Sequence, residues 1–160
     1  MKIPYIISNN IAYANIKGSV KYPDIKGKVK FVEQSNGILV KAEIFNLPIT
    51  EHTNEIYGFH IHEGNKCTGN EQDEFKNAGS HFTKVDLPHP YHSGDMPPLF
   101  GNNGYAYMSF FTNKFTLNDI IGKVVIVHSH PDDFHTNPSG NSGEKIACGK
   151  IYLNQMNIKK

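Results

Sequence analysis

Apolar and polar residues alternate with a period of two along much of this chain, the period of strands whose successive side chains point to opposite faces. The alternation predicts strands over residues 11–16, 28–32 (KVKFV), 38–45 (ILVKAEIF), 56–62 (IYGFHIH), 104–111 (GYAYMSFF), 120–128 (IIGKVVIVH) and 146–153. Asn36-Gly37, between the second and third of these, supplies residues that accept positive φ and predicts a β-hairpin. In the fourth, the period sets Tyr57, Phe59 and Ile61 on one face and Gly58, His60 and His62 on the other. Residues 63–100 show almost no periodicity apart from a turn or two of helix over 71–76, and residues 132–144 are a second turn-rich stretch. A run without regular structure that exceeds about 15 residues in a compact domain is read as a functional loop. Short strands and two long loops predict an all-β protein: a Greek-key β-sandwich or flattened barrel of about eight antiparallel strands.

Composition narrows the function. With 160 residues the chain is long enough for one domain, residues 1–160, with a full hydrophobic core. Lys and Arg number 16 against 15 Asp and Glu, a net charge of +1, so the basic field of a nucleic-acid binder is missing. No apolar run approaches the roughly 20 residues of a membrane-spanning helix. Residues 3–7 contain Pro4 and Tyr5 and lack a basic flank with a cleavable apolar core, so no export signal is expected.

The nine histidines carry the candidate chemistry, and seven of them lie between His60 and His130. His60 and His62, two apart on a strand, point both imidazoles at one place. Within the long loop, His81, His89, His92 and Asp95 offer three imidazoles and a carboxylate in 15 residues, a donor set suited to tetrahedral zinc. His128 ends an apolar strand, where its ring can join a second site. Each residue also has an ordinary reading: a lone strand histidine is commonly a surface or satisfied group, and Asp95 after Gly94 suits a turn. His52, His130 and His135 have no partner at telling spacing and are expected at the surface. Cys67 and Cys148, 81 residues apart, are either one long-range disulfide or two separate buried thiols.

Taken together, Gly58-Phe59-His60-Ile61-His62-Glu63, Ala78-Gly79-Ser80-His81-Phe82, His92-Ser93-Gly94-Asp95-Met96-Pro97 and the segment from Gly140-Asn141-Ser142-Gly143 through Glu144-Lys145-Ile146-Ala147-Cys148-Gly149 resemble the copper/zinc superoxide dismutase family, in family order. The resemblance implies copper held by His60, His62, His81 and His128, and zinc held by His81, His89, His92 and Asp95, with His81 bridging. It implies that Asp132 hydrogen-bonds one histidine of each site, and that Cys67 and Cys148 form a disulfide. The implied activity is dismutation of the superoxide anion to oxygen and hydrogen peroxide by copper redox cycling, with His81 also carrying a proton and zinc in a structural role. Members of the family include cytosolic proteins that keep this disulfide, so the cytoplasm is the expected compartment. They also include dimers and monomers, so a homodimer is one of two implied states.

Departures from the family pattern are equally specific. Where active members usually have an arginine above the copper, this chain has Lys145, which keeps the positive charge but loses the planar fork that docks an anion through two hydrogen bonds. The loop from Asp133 to Lys145 is short, and only Pro90 and Tyr91 separate His89 from His92. Lys84, Lys145 and Lys150 are the expected sources of local positive potential. Lys145 is also the main support for an alternative: a non-catalytic copper/zinc-binding or copper-delivery protein of the same fold.

Overall fold

The computed structural model describes residues 10–49 and 55–154. It contains nine strands: β1 (Ile11–Gly18), β2 (Lys26–Gln34), β3 (Gly37–Phe45), β4 (Ile56–Tyr57), β5 (Phe59–His62), β6 (Leu99–Asn102), β7 (Tyr105–Thr112), β8 (Val124–His128) and β9 (Lys145–Leu153). All pairings between them are antiparallel, in the order β4-β6-β7-β3-β2-β1-β9-β8-β5. The two ends of this ladder are consecutive in the chain, separated only by Gly58. The sheet therefore curls into a nearly closed barrel, which removes most of the exposed edge that an open sheet would present. The pairs β3·β7, β1·β9 and β5·β8 join strands distant in sequence, as Greek-key returns do.

Period-two alternation fills the barrel. Ala12, Ala14 and Ile16 of β1, Val29 and Phe31 of β2, and Ile38, Val40, Ala42 and Ile44 of β3 are all buried in one core. β8 differs, because all five of its residues are buried. Val125 and Val127 enter the main core, while Val124 and Ile126 face outward into a second cluster with Phe75, Ala78, Cys67 and Cys148. The long loop after β5 thus lies over the outer face of β8. The Cys67–Cys148 disulfide, with Cα atoms 5.7 Å apart, ties that loop to β9.

Several sequence expectations shift by local chemistry. The single strand expected over 56–62 is two strands, because the chain crosses the seam of the barrel at Gly58. There the Gly58 N–H donates to the His130 carbonyl at 2.7 Å and the Gly58 carbonyl accepts from the His128 N–H at 2.8 Å. A Cβ at Gly58 would meet Ser142 Oγ at 2.8 Å. The β2–β3 hairpin turns one residue earlier than Asn36-Gly37, since Gln34 pairs with Gly37. Gly37 instead serves close packing, where a Cβ would lie 2.4 Å from the Thr112 carbonyl oxygen of β7. Asn103-Gly104, both at positive φ, make the type of two-residue turn expected of Asn-Gly, between β6 and β7. β6, which the alternation does not predict, starts in the last two residues of the aperiodic 63–100 stretch and runs to Asn102.

Helix is scarce among the described residues: one 3₁₀ turn over Lys76–Ala78, at the end of the expected 71–76 window, and α1 (Leu117–Ile120). Thr116 and Asp119 form a capping box on α1, so Ile120 ends a helical turn instead of opening a strand. No helix among the described residues is long and apolar enough to cross a membrane.

Closing an 81-residue separation is worth about 4.5 kcal/mol in the chain-entropy account of disulfides. The paired substitution Cys67→Ala and Cys148→Ala is expected to lower stability by about that amount, measured as an earlier urea midpoint for the metal-free protein. An unchanged midpoint would show that the Phe75 and Ala78 contacts hold the loop unaided.

Candidate metal centre

The register of β5 against β8 sets the site. Phe59 lies opposite Val127 and Ile61 opposite Val125, all facing the core, so His60, opposite Ile126, and His62, opposite Val124, face out. His128 follows Ile126 by two residues on the same outward face. The long loop then returns along the free edge of β5: the Ile61 N–H donates to the Gly94 carbonyl at 2.9 Å, and the Phe82 N–H to the Ile61 carbonyl at 2.8 Å. Single bridges His62↔His81 and His60↔Asp95 complete this contact. Backbone pairing therefore delivers His81 and Asp95 to the two strand histidines.

Two donor sets result. His60, His62, His81 and His128 form one, and His81, His89, His92 and Asp95 the other; within each, one ligand atom per residue lies within 4.8 Å of all the rest. Five of these seven residues are buried, with His60 wholly sealed, and the side chains of Asp95 and His92 are only 6% and 12% exposed.

Hydrogen bonds assign the ring protons. His60 Nε2–H donates to Asp132 Oδ2 at 2.7 Å and His89 Nε2–H to Asp132 Oδ1 at 2.8 Å, so one buried carboxylate orients one ring of each set. His62 Nδ1–H donates to the Gly79 carbonyl at 2.8 Å and His128 Nδ1–H to the Gly143 carbonyl at 3.3 Å. A carbonyl can only accept, so both Nδ1 atoms carry protons and both Nε2 atoms present bare lone pairs. These two Nε2 atoms face each other at 3.2 Å. Lone pairs so placed repel unless a cation lies between them.

Burial keeps the His60, His62 and His128 rings neutral. Loss of water pushes His60 and His62 well below the usual imidazole range, reinforced by neighbouring imidazoles. His128 falls to about 3, from burial first, then His81, with the Lys145 charge adding to the effect. Burial alone would raise the Asp95 carboxyl, but its hydrogen bond and charge interaction with His81 hold it below its ordinary value. Neutral imidazoles and an ionised carboxylate are the protonation states that bind metals.

The residues fit two cations. His60 Nδ1, His81 Nε2, His89 Nδ1 and His92 Nδ1 are buried without a hydrogen-bond partner, a costly state for four polar atoms in one place. In the second set, Asp95 Oδ1 lies 2.7 Å from His81 Nδ1, and Asp95 Oδ2 lies 3.2 Å from His89 Nδ1 and 3.1 Å from His92 Nδ1. Zinc bonds near 2.0 Å in a tetrahedron place neighbouring ligand atoms about 3.3 Å apart, close to these separations. Four imidazole nitrogens form the other set, suited to copper or zinc. The short His89–His92 spacing brings both rings to Asp95 nonetheless.

Above the first set opens a cavity of about 580 Å³ lined by His62, His81 and His128, with Lys145 and Asp73 at its side. Lys145 Nζ lies 2.5 Å from Asp73 Oδ2. Lys84 pairs with Asp119 at 2.9 Å and Lys150 lies over the Tyr152 ring, so neither lines the cavity as expected of a source of positive potential; Lys21 does. His130 and His135 are exposed, and His52 lies outside the described residues. Sequence reading missed Asp73, 72 residues from its partner, and the Gly79 and Gly143 carbonyls, which no side-chain pattern encodes.

Residues 25–151 match the family model described as copper/zinc superoxide dismutase. The chain is 33% identical over 135 residues to "Superoxide dismutase [Cu-Zn] 1" of Aquifex aeolicus, covering 75% of this chain and 76% of that protein. It is 31% identical over 131 residues to "Superoxide dismutase [Cu-Zn]" of Deinococcus radiodurans, covering 71% and 69%. It is also 33% identical over 112 residues to "Superoxide dismutase-like protein YojM" of Bacillus subtilis, covering 61% and 56%. With the family model spanning most of the barrel and both donor sets, the chain belongs to the copper/zinc superoxide dismutase family.

Proposed function

We propose that this protein is a superoxide dismutase, converting two superoxide anions and two protons to one dioxygen and one hydrogen peroxide. In this reading His60, His62, His81 and His128 hold copper, and His81, His89, His92 and Asp95 hold zinc. His81 is the observation that carries it: one buried ring turns Nδ1 to Asp95 at 2.7 Å and leaves Nε2 without a partner beside the other three imidazoles. Bound copper supplies a one-electron carrier with two accessible oxidation states, and zinc, with one, supplies fixed charge.

The chain's own groups do the rest. His81 Nε2 is the atom at which a proton can be held and released, because Nδ1 is committed to the Asp95 set. Asp132 fixes His60 and His89 together, so the two donor sets keep one geometry through a turnover. The Lys145 ammonium, at the cavity beside His128, attracts the anion as a point charge. The same residue favours a second reading: all 16 cations of the chain are lysines, and Lys145 is already paired with Asp73. A copper/zinc-binding or copper-delivery protein would need no docked anion.

Superoxide consumption by protein carrying both metals, with copper and zinc counted in the same sample, separates the two. Activity is expected to rise in proportion to bound copper; one copper and one zinc without activity would leave the binding or delivery reading. His128→Ala is expected to abolish copper-dependent activity while zinc content stays near one per chain, and parallel loss of both metals would contradict separate donor sets. Asp132→Asn leaves one acceptor oxygen where the His60, His89 and Phe134 N–H groups point, and is expected to weaken metal binding about 10- to 100-fold by competition with a chelator.

A further inference from the structure

The mouth of the cavity carries Lys21, Glu71, Asp73, Glu74, Glu144 and Lys145, two cations against four carboxylates. Such a rim does not steer an anion inward by its net charge. Both cations are also engaged. Lys21 pairs with Glu144 at 2.8 Å, but each side chain is more than 60% exposed, and water screens that pair heavily. Lys145 is 17% exposed and lies opposite His128 across β8 and β9, so its pair with Asp73 is the one that faces the imidazoles.

Asp73, its side chain 37% exposed, is held at both carboxylate oxygens. Its Oδ1 accepts the Phe75 N–H at 3.1 Å while Oδ2 meets Lys145, and its carbonyl accepts the Asn70 and Lys76 N–H groups at 3.0 and 3.1 Å. Phe75 is buried against Val124, Ile126 and Cys148. The disulfide joins Cys67, on the segment that bears Asp73, to Cys148, three residues after Lys145. Covalent and apolar anchors thus hold both partners of the ion pair.

We propose that Asp73 is a positioning residue that holds the Lys145 ammonium across the mouth of the cavity, so that a small anion reaches the imidazole cluster only by displacing a fixed carboxylate from Lys145. This deepens the dismutase reading, in which superoxide is that anion. Asp73 lowers anion affinity and confines Lys145 to one position, which a lysine in place of a forked guanidinium does not achieve alone.

The test uses azide as the anion, titrated into copper- and zinc-loaded protein and followed by copper absorption. Alongside it, the acetylation rate of Lys145 by limiting acetic anhydride is read by peptide mass spectrometry on loaded and metal-free protein. Asp73→Asn keeps an oxygen for the Phe75 N–H and is expected to tighten azide about fivefold and to speed Lys145 acetylation. Asp73→Glu is expected to restore both towards the parent values. Glu71→Gln, the same charge change at a carboxylate not paired with Lys145, is expected to shift azide by less than about twofold. An equal gain from Glu71→Gln would reduce Asp73 to one rim charge among four and overturn the proposal. So would unchanged acetylation of Lys145 in Asp73→Asn. If the azide and acetylation shifts appear in a protein that consumes no superoxide, the dismutase reading fails while the role of Asp73 stands.

Discussion

Phe59 against Val127 and Ile61 against Val125 commit one face of the β5–β8 pair to the barrel core, and everything at the metal centre follows from that commitment. Because strand side chains alternate, His60, His62 and His128 must then leave the barrel on the opposite face. Three imidazoles on the outside of a barrel would ordinarily be solvated. Here they are buried, because the long loop packs Phe75 and Ala78 over Val124 and Ile126 and is stapled to β9 through Cys67 and Cys148. The centre is accordingly neither in the core nor on the surface: it lies in a second, polar interior between barrel and loops.

That interior is stable only with its electrostatics satisfied. Every ring whose outer nitrogen finds Asp132 or a backbone carbonyl is left with a bare inner nitrogen, and these inner atoms gather in two places. Buried lone pairs at 3.2 Å from one another are unfavourable neighbours in the metal-free protein. The outer hydrogen bonds thus do two things at once: they fix tautomer and orientation, and they make the site's polar cost recoverable by cations. Gly140 shows how tightly this is built. It takes a φ of 65°, and a Cβ there would lie 2.0 Å from Asp132 Oδ1 and 2.6 Å from His89 Nε2.

Around the mouth the balance is different. The family's fold and donor sets are present, yet the cationic group above the cavity is a lysine paired with a loop carboxylate. The short 133–145 loop brings Glu144 to Lys21, and neither Lys84 nor Lys150 reaches the opening. The carboxylate that meets Lys145 shares its long loop with four of the candidate donors, Asp73 preceding His81, His89, His92 and Asp95.

Much of this was legible in the sequence. Alternation located most strands because each has one face in the core, and His60-Ile61-His62 on such a strand already implied two rings on one side. The loop set His81, His89, His92 and Asp95 was visible as composition, and the family resemblance ordered all seven donors. What alternation could not reveal was where a strand changes partners: Gly58, β6 and the start of β8 depend on pairings with residues far along the chain. The Gly79 and Gly143 carbonyls that turn His62 and His128 were likewise invisible, since a backbone oxygen leaves no mark on residue identity. The Asp73–Lys145 pair had no local signal either, being made by a loop and the first residue of β9, which a disulfide and a small apolar cluster bring together. Residue type and period by themselves marked the candidate donors and most strands, because chemistry and side-chain direction are local properties, and the family resemblance grouped those donors into two sets. The tertiary structure alone decided which nitrogen faces inward and which carboxylate meets Lys145, because both are distances between groups separated along the chain.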